Sequence, residues 1–174
     1  MHAAVRAEEE LPDLFKSAMR RLTSSVSILT TLKGGGFAGM TVTSATSLSA
    51  DPPSMLVCVN RTASMHGSLG LGQPICVNLL GAGQTEIATR FAGKVAPTER
   101  FEEGVWDVAD NGVPILRGSQ ASVIGQIDAT FEYGSHTVFV IKVEAIRIGD
   151  TFAPLIFGEG RFLGVFGDAP AVAE

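Results

Sequence analysis

The sequence GMTVTSATSLSADPPSMLVCVNR, residues 39–61, decides how this chain is expected to fold. Its first half is rich in hydroxyl side chains and reads as one extended strand, which an Asp-Pro-Pro turn at residues 51–53 ends. A continuous apolar strand follows at residues 54–60 and stops abruptly at the polar pair Asn60-Arg61. Two strands joined by a rigid turn predict a protein built mainly from β-structure.

The rest of the chain alternates short strands with few helices. Apolar residues at helical spacing predict helices over residues 12–22 and 85–91, with a short helix at 64–71. Tight turns at Gly34-Gly35-Gly36 and Gly134-Ser135-His136 are expected to join neighbouring strands. Residues 54–60 and 75–80 read as strands buried on both faces, and residues 93–118 as irregular chain held down by Trp106. The remaining strands are predicted at 25–31, 37–44, 121–133, 137–148, 154–157 and 161–165. This pattern predicts a β-barrel, or an α+β fold dominated by one.

Length and charge narrow the class of protein. The 174 residues are expected to form one domain, 1–174, with a core from about 12 to 166, an acidic N-terminal tail and an Ala-rich C-terminal tail. A net charge of −5 argues against a general nucleic-acid binder. No apolar run approaches the ~20 residues of a membrane span, and the acidic N-terminus is unlike a signal peptide. A cytoplasmic protein without membrane or nucleic-acid partners is therefore expected.

Cysteines and histidines give no metal pattern. Cys58 and Cys76 lie inside apolar runs without CxxC spacing, so we expect reduced, buried thiols. The three histidines are scattered along the chain, so no metal site is predicted.

Polar groups on the strand at residues 39–61 indicate a ligand. Hydroxyls and backbone amides suit a flat heterocycle with polar edges, and the polar end of a buried strand suits a phosphate, so a bound flavin is the working hypothesis. Several residues keep two interpretations. The loop before Thr85 either offers N–H groups to an anion or is an ordinary capped helix start. His136 is either a solvent-exposed turn residue or a donor that points into a pocket. Arg61 and Arg161 either hold phosphates or form surface salt bridges.

Taken together and in this order, these segments resemble the short-chain flavin reductase family, the small NAD(P)H-dependent partners of two-component flavin monooxygenases. The resemblance runs from about Phe15 to Val165 and includes residues 39–61, the VNLL segment at 77–80, Arg90–Gly93, the His136 turn and the terminal Arg161-Phe162. It implies a mainly β (α+β) split β-barrel of the FMN-binding type with a few short helices. It also implies a homodimer with flavin near the subunit interface.

The resemblance also implies roles for individual residues. The isoalloxazine edge would be lined by Met40, Thr41, Thr43, Ser44 and Ala45. Val59, Asn60, Arg61 and Ser64 would hold the pyrimidine edge and the phosphate. The ribityl–phosphate side would be met by Asn78, Ala82, Gly83 and Gln84, and Phe91 would border an adenine if FAD is bound. His136 would position the nicotinamide, and Arg161 and Phe162 would close that pocket.

The expected activity is NAD(P)H:flavin oxidoreduction, with hydride passing to flavin N5 and reduced FMN or FAD supplied to a partner monooxygenase. No catalytic acid or base is required, because the cofactors carry the reaction. One residue departs from the family pattern: the family often has Asp before the histidine, and Ser135 stands here. Two alternatives stay open, a flavin-bound reductase of another small substrate and a non-catalytic ligand-binding barrel. NADH is the expected donor, and the sequence decides neither NADH against NADPH nor FMN against FAD.

Overall fold

The computed structural model describes residues 11–96, 99–102 and 104–164. The predicted acidic and Ala-rich tails lie outside these ranges, and the single-domain boundaries stay a prediction. Helix α1 spans Leu11–Met19, and α2 spans Thr85–Thr89 and continues into one π-helical turn at Arg90–Lys94. Single 3₁₀ turns lie at His66–Ser68 and Ala82–Gln84.

Within the described residues the chain forms twelve strands. They are β1 (Ser24–Ser25), β2 (Ser27–Lys33), β3 (Gly36–Val42), β4 (Ala45–Ala50), β5 (Pro53–Asn60), β6 (Pro74–Leu79), β7 (Trp106–Val108), β8 (Pro114–Leu116), β9 (Ala121–Tyr133), β10 (His136–Ile148), β11 (Leu155–Gly158) and β12 (Arg161–Gly164). The segment predicted as irregular at 93–118 thus contains two strands, β7 and β8. Each has three residues, which is too short for a periodic pattern to reveal.

The main sheet closes on itself. Its strand order is β3-β2-β6-β9-β10-β5-β4, so β3 and β4 lie at opposite edges, yet only Thr43 and Ser44 separate them in the chain. The sheet must therefore curl until its edges meet, which makes a barrel. The prediction of one continuous hydroxyl-rich strand was wrong, because the chain turns a corner at these two residues. The Ser44 hydroxyl holds the corner by donating to the Cys58 carbonyl at 2.7 Å.

Alternating side chains fill the barrel. On β5 the side chains of Val57 and Val59 are buried, whereas their neighbours Leu56, Cys58 and Asn60 are only half-buried. Phe139 and Ile141 of β10 pack into the same core. The expectation that β5 is covered on both faces was therefore wrong. For β6 it was right, since Ile75–Asn78 are all buried.

Helix α2 and the turn after it cover the outside of β3. A glycine is required at position 39, because a Cβ there would lie 2.6 Å from Phe91 Cε1. Phe91, Phe101 and Trp106 form an aromatic cluster with ring centroids 5.0–5.5 Å apart. Trp106 thus holds its segment against the barrel, as the sequence predicted. A separate three-stranded sheet has the order β1-β11-β12, and its residues Ser24 and Phe157 line the same cavity as Thr43 at the corner.

Candidate functional site

Two regions that the sequence linked to different ligands lie side by side. Antiparallel pairing of β5 with β10 places His136 directly opposite Asn60, and Thr137 opposite Val59. The Arg61 backbone N–H extends the contact by donating to the Ser135 carbonyl at 2.9 Å. The polar end of β5, predicted to contact flavin, and His136, predicted to contact nicotinamide, therefore share one end of the barrel.

His136 presents one free ring nitrogen. Ser135 Oγ lies 2.9 Å from His136 Nδ1, and both residues are exposed at the tip of the β9–β10 hairpin. This hydrogen bond restrains the ring and leaves Nε2 available to a ligand. Ser135 therefore restrains the His136 imidazole through its hydroxyl.

Asn60 starts a polar turn. Its Oδ1 accepts hydrogen bonds from the Thr62 backbone N–H and hydroxyl, both at 2.9 Å, which is the geometry of an Asx turn. The side-chain NH₂ of Asn60 is left as a donor, and Ser64 lies exposed two residues beyond the turn. The turn thus provides polar groups next to His136.

The barrel corner opens onto a cleft. Thr43 is exposed and lines a cavity of about 560 Å³. Phe157 and Gly160 line it from the terminal arm, which is the β11–β12 hairpin, and Phe15 and Met19 line it from α1. The next residues of the arm are Arg161 and Phe162, and Phe162 packs edge-on against Phe157 with centroids 5.5 Å apart. The volume lies within the usual ~300–1,000 Å³ range for small-molecule sites. The structure therefore brings Thr43 and the Arg161 arm together.

Other residues of the predicted isoalloxazine edge face the protein. Thr41 Oγ1 donates to the Ala88 carbonyl of α2 at 2.6 Å. Met40 and Ala45 pack against the barrel core, and Val59, which was predicted at the pyrimidine edge, is 1% exposed. Val59 can serve a ligand only through its backbone, whereas the exposed Thr43 can offer its side chain.

Two predicted contacts need correction. Asn78 is 0% exposed, and its amide bonds to the Ile28 carbonyl, Thr30 Oγ1, the Leu116 N–H and Ser122 Oγ. Phe91 is 1% exposed within the aromatic cluster. The Asn78 side chain is enclosed because β6 is covered on both faces, and the Phe91 side chain because it packs against Phe101 and Trp106. They hold the fold and have no surface for a ribityl chain or an adenine.

The loop Ala82–Gln84 lies at a different cavity, of about 250 Å³, which Gly83 and Gln84 line together with Arg90 and Arg100. The Gln84 side chain accepts from the Gly81 N–H at 2.9 Å and donates to the Arg117 carbonyl at 3.2 Å. Gln84 stands at the N-cap of α2 but makes no side-chain capping hydrogen bond to the helix. Within the described ranges, no hydrogen bond joins this loop to Thr43 or His136, so its ribityl–phosphate role stays a prediction.

Sequence reasoning missed several contributors. Phe157, Gly160 and α1 reach the cleft from far along the chain, and no local pattern announces such a meeting. His66 was considered only as part of a polar segment. Its Nε2 lies 2.9 Å from Thr137 Oγ1, and its ring packs edge-on against Phe139. His66 therefore supports the first residues of β10 through its contacts with Thr137 and Phe139.

The thiols and acidic groups assemble no metal site. Across residues 11–96, 99–102 and 104–164, no group of three or more His, Cys, Asp or Glu side chains is close enough to hold a metal ion. Cys58 is half-buried, in contrast to the expectation of full burial, and Cys76 is buried; both are free thiols. Burial raises the pKa of the Cys76 thiol to about 12, against its ordinary value of 9.0. The part of the chain that the structure describes has no helix long and apolar enough to cross a membrane.

The closed barrel, its corner cleft and the hairpin histidine are the features of a split-barrel oxidoreductase. The sequence model of the flavin reductase like domain matches residues 19–165, and the chain belongs to this family. The resemblance, the fold class and the enzyme class predicted from the sequence are thereby confirmed.

Relatives and solved structures agree. The reductase component of an FADH₂-dependent resorcinol hydroxylase from a Rhizobium species is 36% identical over 158 residues, which cover 90% of this chain and 88% of the relative. FMN reductase (NADH) RutF 2 of Rhizobium rhizogenes is 34% identical over 154 residues, covering 88% and 89% of the two chains. The NADH:FAD oxidoreductase SgcE6 of Streptomyces globisporus, in complex with NAD and FAD fragments, superimposes with a TM-score of 0.82 at 28% identity, covering 98% of this chain and 100% of that one.

Proposed function

We propose that this flavin reductase oxidises NADH, reduces FMN or FAD, and supplies the reduced flavin to a separate monooxygenase. The observation that carries the proposal is the direct pairing of His136 with Asn60. It sets a group suited to nicotinamide beside a group suited to flavin. The NADH-dependent FMN reductase among the relatives supports NADH as the donor. The reductase component of the FADH₂-dependent resorcinol hydroxylase supports the supply of reduced flavin to a separate monooxygenase.

The residues at the barrel corner fit a flavin. Thr43 lines a cleft with an apolar wall at Phe157 and room for a flat ring system. Backbone amides near Thr43 and Ser44, with the Asn60 NH₂, would meet the polar edge of the ring. When bound, flavin accepts a hydride at N5 from the dihydronicotinamide. The protein's part is to hold the two rings in contact, an effect worth about 7–11 kcal/mol in well-oriented reactions.

His136 would orient the nucleotide through its free Nε2, while Ser135 fixes the ring from the other side. Arg161 and Phe162, next to the cleft-lining Gly160, would close over the nucleotide. No side chain has to move a proton at the reacting atoms, so the absence of a Ser-His-Asp arrangement in the sequence is consistent with this chemistry.

A homodimer with the site at its interface is part of the proposal. Helix α1 buries none of its residues, and Leu11 and Phe15 on it are 59% and 60% exposed. On β9, Phe131 and Tyr133 are 64% and 78% exposed with stacked rings, and Tyr133 pairs with His136. Apolar side chains of this size beside a site favour burial by a second copy. A cytoplasmic location, expected from the sequence, completes the proposal.

The test is a steady-state assay of the purified chain with NADH or NADPH against FMN, FAD and riboflavin in turn. We expect NADH oxidation that saturates in both nucleotide and free flavin. Failure to oxidise either reduced nucleotide with any of the three flavins would overturn the proposal. A flavin that stays bound through turnover would instead favour a reductase of another small substrate. Sedimentation at decreasing protein concentration, followed in parallel with activity, tests the shared interface.

A further inference from the structure

Arg61 lies across the tip of the hairpin that carries His136. Its Nη2 donates to the Gly134 carbonyl at 2.5 Å, and its Nη1 lies 3.4 Å from Glu132 Oε2. Its backbone N–H donates to the Ser135 carbonyl. We propose that Arg61 is a positioning residue: it fixes the tip of the hairpin and thereby the placement of His136 against the flavin strand.

The contacts of Arg61 lie on the two turn residues of the β9–β10 hairpin, Gly134 and Ser135. Regular pairing of β5 with β10 ends at the Asn60–His136 pair, so the two turn residues beyond it receive no ladder hydrogen bond from β5. Gly134 has a φ of +55°, a conformation that glycine enters and leaves freely. Arg61 bonds to the carbonyls of both turn residues, Gly134 and Ser135. It therefore replaces the missing ladder with one main-chain and one side-chain contact.

The hydrogen bonds to the carbonyls, and not the ion pair, carry this role. The side chains of Arg61 and Glu132 are 47% and 69% exposed, and exposed pairs of this kind contribute little. A planar guanidinium holds its donors in a fixed fork, so it can bridge the turn more rigidly than a flexible ammonium.

Positioning differs from the phosphate contact that the resemblance implied for Arg61. If Arg61 bound the flavin phosphate, its replacement would weaken the use of FMN and FAD and leave the use of riboflavin unchanged. A positioning residue would instead affect NADH use whichever flavin accepts the hydride, because misplacement of His136 acts on the nucleotide. This inference rests on the proposed function, since it assigns His136 to NADH.

The test compares Arg61→Gln with Arg147→Gln, a matched control on the far half of β10 that is 51% exposed and paired with Asp107. Steady-state kinetics are measured with NADH against both FMN and riboflavin. For Arg61→Gln we expect kcat/KM for NADH to fall about tenfold with either flavin, and the KM for flavin to change less than about twofold. Arg61→Lys is expected to recover part of the loss, and Arg147→Gln to behave as the unmodified protein.

Amide hydrogen exchange provides a readout that does not depend on turnover. In Arg61→Gln, exchange at residues 134–136 is expected to accelerate while the β6 and β9 amides keep their protection. Unchanged exchange at the tip would overturn the inference, and so would a rise in KM for FMN without one for riboflavin. If the unmodified protein shows no NADH turnover, the proposed function fails. The exchange experiment then still decides whether Arg61 restrains the hairpin.

Discussion

His136 and Asn60 are direct partners at the last register position of the β5–β10 ladder. Facing residues on antiparallel strands have Cα atoms about 4.5–5.5 Å apart, so one pair of stacked rings can contact both side chains. The two residues belong to segments 76 positions apart in the chain, and the ladder fixes their separation.

Replacement of His136 by Ala should weaken NADH use more than flavin binding. The free Nε2 is removed, and loss of one hydrogen bond corresponds to about a tenfold rise in KM for NADH. Flavin affinity, measured by fluorescence quenching, should change less than about twofold. An equal loss of both affinities would contradict the assigned role of His136.

Ser135→Ala should have a smaller effect in the same direction. The hydroxyl 2.9 Å from His136 Nδ1 would be lost, and the imidazole would then sample more orientations. We expect kcat/KM for NADH to fall about threefold. Ser135→Asp, which keeps an acceptor at this position, should retain most of the activity. Equal loss in both variants would show that Ser135 acts through something other than this hydrogen bond.

Thr43→Trp should block the cleft without disturbing the barrel, because Thr43 is exposed and the new ring would extend into the cavity. Flavin affinity is expected to drop by about tenfold or more, with an unchanged thermal midpoint. Thr130→Trp, at an exposed strand position of β9, is the matched control. Retained flavin binding in Thr43→Trp would place the ring elsewhere.

Asn78→Ala should lower the free energy of unfolding and leave flavin affinity intact. The change leaves the buried Leu116 N–H without its acceptor and the Ser122 hydroxyl with Ser119 Oγ as its remaining partner, at a cost of about 2–3 kcal/mol. Urea unfolding measures the loss, and fluorescence titration measures flavin affinity. A stable variant with weakened flavin binding would restore the ligand role that the structure argues against.

The buried Cys76 thiol should make stability fall above pH 9. Its pKa is about 12 in the folded chain, against an ordinary 9.0, so the unfolded chain loses this proton first as the pH rises. The contribution is fully present below pH 9 and is lost towards pH 12, at up to about 1.4 kcal/mol per pH unit. Urea unfolding of Cys76→Ala should show a shallower decline across this window. Identical slopes in both proteins would contradict the assignment.

Local sequence patterns were sufficient for the hairpin and the apolar strands. The two long strands predicted at residues 121–133 and 137–148, separated by a glycine-containing turn, match β9 and β10 nearly to the residue. Period-two burial is seen on the first half of β10, where Thr137, Phe139 and Ile141 are buried and the residues between them are half-buried, because alternate side chains there point into the core. The family resemblance came from the order of several such segments.

The sequence could not reveal which predicted site residues have accessible side chains. Asn78 and Thr43 are both polar residues within or beside strands, yet one is enclosed and the other lines a cleft. The difference arises because β6 lies in the middle of a covered sheet, whereas Thr43 stands at the barrel corner.

The chain's own sequence thus determined the strands, their turns and the residue types available for a flavin and a nucleotide, because these depend on neighbours within a few residues. Only the tertiary structure decided that Thr43 and Ser44 form a corner, that α1 and the Gly160 turn wall the cleft, and that Arg61 reaches the hairpin. These contacts follow from closure of the sheet, which joins residues far apart in sequence and leaves no local pattern at either end.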